Sequence, residues 1–124
     1  MTGWKSDELK KLAAAEELDL ASVGRDGTLR KPVTMWVVRH KDDVYVRSVN
    51  GRTSFWFRGA EDRHEAHIKA DGVEKDVGLV ETDGLKDEID AAYRAKYRQY
   101  AGKILNSVLT PKARAATLKL VPRS

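Results

Sequence analysis

Apolar positions recur along the chain at two spacings. In residues 6–17, Leu9, Leu12 and Ala13 share one face at helical spacing, Ser6 can cap the first turn, and Asp7 and Glu8 complement its positive end. LDLASVG then alternates, and RDGT at 25–28 brings an Asp-Gly pair suited to a tight hairpin turn. A long strand is expected over 29–40, with Pro32 near its start, where a missing backbone donor costs least on an edge. KDD turns it into a further strand over 44–49. EAHIKADGVEKDVGLVE reads as a second hairpin about Asp71-Gly72, its first arm alternating through Ala66, Ile68 and Ala70. KDEIDAAYRAKYRQYAG carries the strongest helical pattern, with acids in its first turn, Ile89, Ala92, Tyr93, Tyr97 and Tyr100 on one face, and Gly102 beyond its end. Pro111 opens a short turn or helix, and 117–121 alternates as a closing strand. These elements predict one α+β domain, a small antiparallel barrel of five or six strands with two main helices.

One segment breaks the ordinary pattern. Residues 33–38 (VTMWVV) are apolar on both faces, whereas a strand of a small antiparallel sheet usually leaves one face to water. Val33, Met35 and Val37 take one side, Thr34, Trp36 and Val38 the other. In a closed barrel one side fills the interior. The second needs cover, either from a helix of the same chain or from a second subunit, and we expect a homodimer through the Trp36 face.

Composition narrows the chemistry. The chain has 124 residues, enough to bury a core without staples, and no cysteine, which excludes disulfides, thiolate metal sites and cysteine nucleophiles. No apolar run approaches the roughly 18 residues that span a bilayer, and MTGWKSDELKK has no apolar leader pattern, so a cytoplasmic protein without membrane association is expected. The net charge of +4 comes from 23 basic and 19 acidic residues interspersed along the chain, which favours a local anion site over a nucleic-acid stripe.

Such a site is suggested after the 44–49 strand, where Arg47, Arg52 and Arg58 gather with Ser48, Asn50, Thr53 and Ser54. A phosphate needs convergent donors and positive potential, which guanidinium forks, hydroxyls and the N–H groups at a helix start provide together. Thr53 or Ser54 can cap a short helix through FWFRG, and Gly51 permits a tight approach. The alternative is an ordinary solvated turn at Asn50-Gly51. Elsewhere the signals are weaker. His64 and His67 stand near Glu61, Asp62 and Glu65, but strand alternation throws the two histidines to opposite sides, and no metal site is expected. Asp87, Glu88 and Asp90 read as helix-start acids, and the tyrosine stripe as packing. No catalytic group stands out.

The order hairpin, RKPVTMWVVRH, turn, DVYVRSVNGRTS, hairpin, helix, final strand resembles the FMN-binding split barrels related to pyridoxamine 5'-phosphate oxidase, including their deazaflavin-dependent nitroreductase-like branch. More narrowly, DEIDAAYRAKYRQY and ARAATLKLVPR are similar to the bacterial family catalogued as domain of unknown function 2255. The resemblance covers about 18–123 and implies a split barrel that forms a homodimer, with FMN or a deazaflavin in clefts between subunits and an oxidoreductase acting on a small molecule. It carries the phosphate contacts onto Arg30 or Lys31, then Arg47 and Ser48, then Asn50, Arg52, Thr53 and Ser54. Two departures stand out: Gly51 where the turn's serine is usual and Thr53 where its lysine is usual, which leaves Arg52 to carry more of the binding. The competing reading is a non-enzymatic barrel, either a cofactor-free dimer or one that binds single-stranded nucleic acid or another anion through Phe55, Trp56, Phe57 and neighbouring arginines.

Overall fold

The structure is a computed structural model describing residues 3–61, 63–82, 84–100 and 102–123, the Phe55 side chain excepted. Helix α1 (Ser6–Ala14) is followed by strands β1 (Leu18–Ser22), β2 (Val33–Met35), β3 (Val38–His40) and β4 (Asp43–Arg47). After a 3-10 turn come helix α2 (Phe55–Ala60), the hairpin β5 (Glu65–Ala70) and β6 (Val73–Glu81), helix α3 (Lys86–Lys96), the single-turn helices α4 (Lys103–Asn106) and α5 (Pro111–Arg114), and strand β7 (Thr117–Pro122).

The strands form one antiparallel seven-stranded sheet in the order β2-β1-β5-β6-β7-β4-β3. Its two edges, β2 and β3, are consecutive in the chain and separated only by Trp36 and Val37. The sheet is therefore curled into a split barrel whose seam is crossed by two residues of backbone. This corrects the single strand expected over 29–40: Val23 bridges Leu29 across the first turn, β2 pairs with β1 from Val33, and β3 pairs with β4 from Val38. No flat strand can pair on both sides of a seam, so the chain must break there. The other hairpin is as expected, with Ala70 opposite Val73 and Asp71 and Gly72 at φ 46° and 85°, the left-handed pair a two-residue turn requires.

Two apolar cores flank the curled sheet. The inner one takes Val37, Val44, Val46, Ile68, Leu118 and Leu120 from the strands, closed by Leu9 and Leu12 of α1 and Phe57 of α2. The outer one gathers Val38 and Tyr45 under Ile89, Tyr93 and Tyr97, with Leu105 and Val108. The two-faced segment is thereby resolved: Val37 enters the inner core, Val38 the outer, and α3 of the same chain covers the second face.

The seam is pinned by the end of α3. The Tyr97 hydroxyl accepts from Val37 N at 3.1 Å and lies 3.0 Å from Val37 O and 2.7 Å from Glu16 O, while Lys96 Nζ donates to Val37 O at 2.6 Å and to Leu12 O at 3.2 Å. Trp36 stacks on Tyr97 at 4.0 Å with the ring planes 4° apart. A break that would leave backbone groups orphaned is satisfied by side chains instead.

Candidate functional site

Beside the seam, the edge strand β2 forms one wall of a cleft of 320 Å³, in the range of small-ligand sites. Val33, Met35 and Trp36 face Trp56 of α2 and the segment Val49-Asn50, and Ile104 and Val108 close the far side. Val49 and Ile104 are exposed large apolar residues on its rim. A second hollow of 190 Å³ adjoins it, sharing Val33 and Trp56, and is lined by Leu20, Ser22, Arg30, Lys31 and Pro32. A tryptophan-bearing cleft, whose lining also includes Glu17, Thr34 and Asn50, thus adjoins a basic hollow on the strand β1 side.

The predicted anion residues divide among three places. Arg30 and Lys31 line the basic hollow; Arg30 is half-buried, and its Nη1 donates to Gly59 O at 2.7 Å, so the guanidinium lies across Gly59 where a side chain would collide with it. Asn50 and Arg47 line the cleft, but Arg47 lies beneath its surface. The Arg47 guanidinium ion-pairs with Asp90, donates to Thr117 Oγ1 at 3.0 Å, Val108 O at 2.8 Å and Lys86 O at 3.1 Å, and rests 5.5 Å from the Tyr93 ring centre. It is a buried tie between β4, β7 and α3, and a charge so fully paired has little to offer a ligand.

The turn after β4 is an internal network. The Ser48 and Ser54 hydroxyl oxygens are 2.6 Å apart, Ser48 Oγ donates to Gly51 O at 2.8 Å, and Ser54 caps α2 by accepting from Phe57 N at 3.3 Å. Thr53 is exposed, its hydroxyl 3.5 Å from Asn50 O. Arg52 turns away from the cleft: it pairs with Glu81 and Glu61, donates weakly to Ala115 O and lies 5.3 Å from the Phe57 ring centre. Its hydrogen bond holds the Glu81 carboxyl below the usual range. The sequence groups Arg47 and Arg52 by proximity, yet one side chain enters the core and the other binds carboxylates contributed by β6 and the end of α2.

Of the aromatic run, Phe57 is buried in the inner core and Trp56 lines the cleft, so these two rings are not offered side by side as a stacking platform for single-stranded nucleic acid. His67 sits between Asp76 and Glu74 at 2.8 and 2.9 Å on the outer face of the hairpin, and hydrogen bonds to both, Asp76 first, raise its pKa. His64 lies in the preceding turn with φ 53°, and Asp62 is outside the described residues. Among the described residues no group of three His, Asp or Glu is arranged to hold a metal ion.

The tyrosine stripe that the sequence assigns to packing does pack in the outer core, and one of its members, Tyr93, also borders the cleft. Tyr93 is fully buried beneath it, its hydroxyl closed off from solvent and set against the Arg47 backbone N–H. Burial pushes its ionisation well above the ordinary phenol range, so it remains an O–H. The hydroxyls of Thr34 and Ser107, also lining the cleft, are already committed, to Asp19 at 2.6 Å and to Ile104 O at 2.6 Å. The signal for Tyr93 lay in its place on the apolar stripe of α3, but only the fold shows what that stripe faces.

Comparison with known proteins supports the architecture. The heme storage protein HutZ of Vibrio cholerae superposes with a TM-score of 0.64 at 14% identity, covering 96% of this chain and 90% of its own. A FAD-binding protein of Mesorhizobium loti gives 0.63 at 15% identity, with 98% and 91% covered. An F420-H2 dependent reductase gives 0.59 at 17% identity, with 86% and 93% covered. At such identities the likeness shows the fold alone. No curated protein matches the sequence. Residues 8–120 match the family described as uncharacterized protein conserved in bacteria (DUF2255), and the chain belongs to that family.

Proposed function

We propose that this DUF2255 split barrel binds a flavin nucleotide, FMN or a deazaflavin, with its ring system in the cleft beside β2 and its phosphate toward Arg30 and Lys31. The observation that carries the reading is the continuity of a tryptophan-lined cleft with a basic hollow across the shared residues Val33 and Trp56. A flat ring system gains from apolar burial and aromatic contact, and a phosphate from charge-assisted hydrogen bonds. The residues present fit such a group at both ends: Met35, Trp36 and Trp56 for the ring, an exposed lysine and a half-buried arginine for the phosphate. The proteins of like fold add support at a coarser level, since the ligands in their names, F420, FAD and heme, are flat conjugated ring systems.

A bound flavin supplies hydride or single-electron transfer, which makes an oxidoreductase acting on a small molecule the matching activity. This chain's own part is to hold the ring against Trp36 and Trp56, orient it, and keep water from one face. The exposed apolar rim at Val49 and Ile104 further supports a homodimer in which a second copy closes the open side.

Titration with FMN and with riboflavin, followed by flavin fluorescence, tests the reading. FMN should bind more tightly. Lys31→Ala should weaken FMN binding about 10-fold or more, as expected for loss of a charge-assisted contact, and leave riboflavin unchanged. Arg52→Ala should change neither, because its partners are Glu61 and Glu81. Equal affinity for the two compounds would detach Arg30 and Lys31 from the phosphate, and no binding of either would remove the flavin reading.

A further inference from the structure

Resting on the flavin reading, we infer that Trp36, Tyr97 and Tyr100 form a one-electron relay out of the cleft, in which an oxidant bound there draws its electron from Tyr100 while the Glu16 carboxylate takes the phenol proton. The three rings are continuous from the cleft to the surface. Trp36 is half-buried and lines the cleft. Tyr97 stacks on it at 4.0 Å with the planes 4° apart, and Tyr100, also half-buried, lies 5.4 Å from Trp36 and 6.4 Å from Tyr97 between ring centres. Two aromatic faces overlapped this closely press like charge together, and removing one electron turns that repulsion into attraction between a cationic ring and a neutral one. An electron therefore leaves such a pair more readily than it leaves an isolated ring.

The groups around the rings decide where the missing electron settles. The Lys96 amine, a cation below about pH 8, lies 5.2 Å from the Tyr97 ring centre, and the Arg47 guanidinium lies 5.5 Å from that of Tyr93, the other ring beside Tyr97 at 6.0 Å. A cation over a ring opposes withdrawal of an electron from it. An oxidised phenol is also a strong acid and persists only when its proton has a taker. The Tyr97 hydroxyl meets backbone groups, the Val37 N–H and the carbonyls of Val37 and Glu16, and amide carbonyls hold no proton at neutral pH. The Tyr93 hydroxyl is closed off from solvent. Tyr100 alone of the three tyrosines donates its hydroxyl to a carboxylate, that of Glu16, on the exposed side. Negative charge and a proton acceptor thus coincide at the outer end of the stack.

The step balances as follows. The oxidant in the cleft takes one electron from Trp36, the stacked Tyr97 passes one electron from Tyr100 to refill it, and the Tyr100 O–H bond breaks with its proton going to Glu16. The products are a neutral Tyr100 phenoxyl radical, a protonated Glu16 and the oxidant reduced by one electron. Trp36 and Met35, the oxidisable side chains of the cleft, are left intact.

A light-excited flavin is the oxidant that the test supplies. The protein loaded with FMN is illuminated with blue light in air, frozen, and its radicals identified by electron paramagnetic resonance with deuterated tyrosine or tryptophan. The wild type should show a tyrosyl signal. Tyr100→Phe should lose that signal, show a tryptophan radical instead, and accumulate oxygenated Trp36 detectable by peptide mass spectrometry. Glu16→Gln keeps every ring and removes only the proton acceptor, and it should lose most of the tyrosyl signal. Neither residue lines the cleft, so both variants should match the wild type in FMN affinity by fluorescence titration, which separates the radical readout from binding. A tyrosyl signal that survives Tyr100→Phe, or that Glu16→Gln leaves undiminished, would overturn the inference. Bound FMN without any protein radical in the wild type would overturn it too, while the flavin reading stands. Failure of the wild type to bind FMN would remove both.

Discussion

At the scale of single residues, the turn after β4 shows how a sequence departure becomes a structural requirement. Gly51 stands where the resembling families use serine, and its φ of 78° lies in the left-handed region. A Cβ built there would sit 2.3 Å from Lys112 Cγ, so the lysine stem packs over the bare backbone. Gly51→Ala should destabilise the protein by about 1 to 2 kcal/mol, the usual penalty for a side chain in that conformation, with a further small shift of the flexible lysine. Chemical denaturation of the two proteins measures it, and unchanged stability would show that the turn adopts another backbone. The missing serine is not a defect in the local network, because Ser48 and Ser54 already bond to each other and to the Gly51 carbonyl.

At the scale of elements, the seam between β2 and β3 is held by the last turn of α3, and its chemistry carries a pH dependence. Burial pulls the Lys96 amine from 10.5 down to about 8. The native state therefore releases this proton before the unfolded chain does. Between about pH 8 and 10.5 the unfolded chain holds more protons, so this group's contribution to stability rises with pH across that window and falls as pH drops through 8. The bonds themselves persist, since a neutral amine keeps two N–H donors for the two carbonyls of Val37 and Leu12. Lys96→Met removes the titration. The stability of the wild type relative to Lys96→Met should increase from pH 7 to pH 9.5, read from paired thermal melts. A difference that stays flat would place the amine in water. Above about pH 10 the buried Tyr93 and Tyr97, both raised by desolvation, work the other way, because the unfolded chain ionises first.

At the scale of the whole molecule, the cleft is open on the side where Ile104 and Val49 are 60% and 44% exposed. Two large apolar side chains exposed on the lining of one cleft, with Met35 and Trp56 on the same lining, favour cover by a partner. The expected state is a dimer at micromolar concentration by light scattering. Ile104→Glu should shift it toward monomer by placing a charge in an apolar contact, whereas Leu29→Glu, at a residue 56% exposed in the first hairpin turn, should leave it unchanged. A monomer in the wild type would mean that the cleft is complete in one chain. Among the described residues no helix is long and apolar enough to cross a membrane.

Local rules reach as far as the neighbours they involve. The Asp71-Gly72 hairpin, the α3 stripe as far as Lys96, a cap on α2 that falls to Ser54 rather than Thr53, the Pro111 start of α5 and the closing strand were legible because each depends on residues within a few positions of one another. The alternation of 33–38 also survives, with Val37 and Val38 facing opposite cores. What the pattern could not contain was the break at Trp36 and Val37, since it follows from curling a seven-stranded sheet until its edges belong to one continuous segment. The same limit governs the site. Arg47 and Arg52 look equivalent in sequence, but their fates are set by Asp90 at 43 residues' separation and Glu81 at 29. Tyr93 reads as one more packed ring until the fold brings β2, α2 and α4 around it. Composition and periodicity decide which residues are apolar and which elements they build; which charge is already paired, and which ring borders a cleft, is decided only when distant segments meet, because pairing is a property of distance in space.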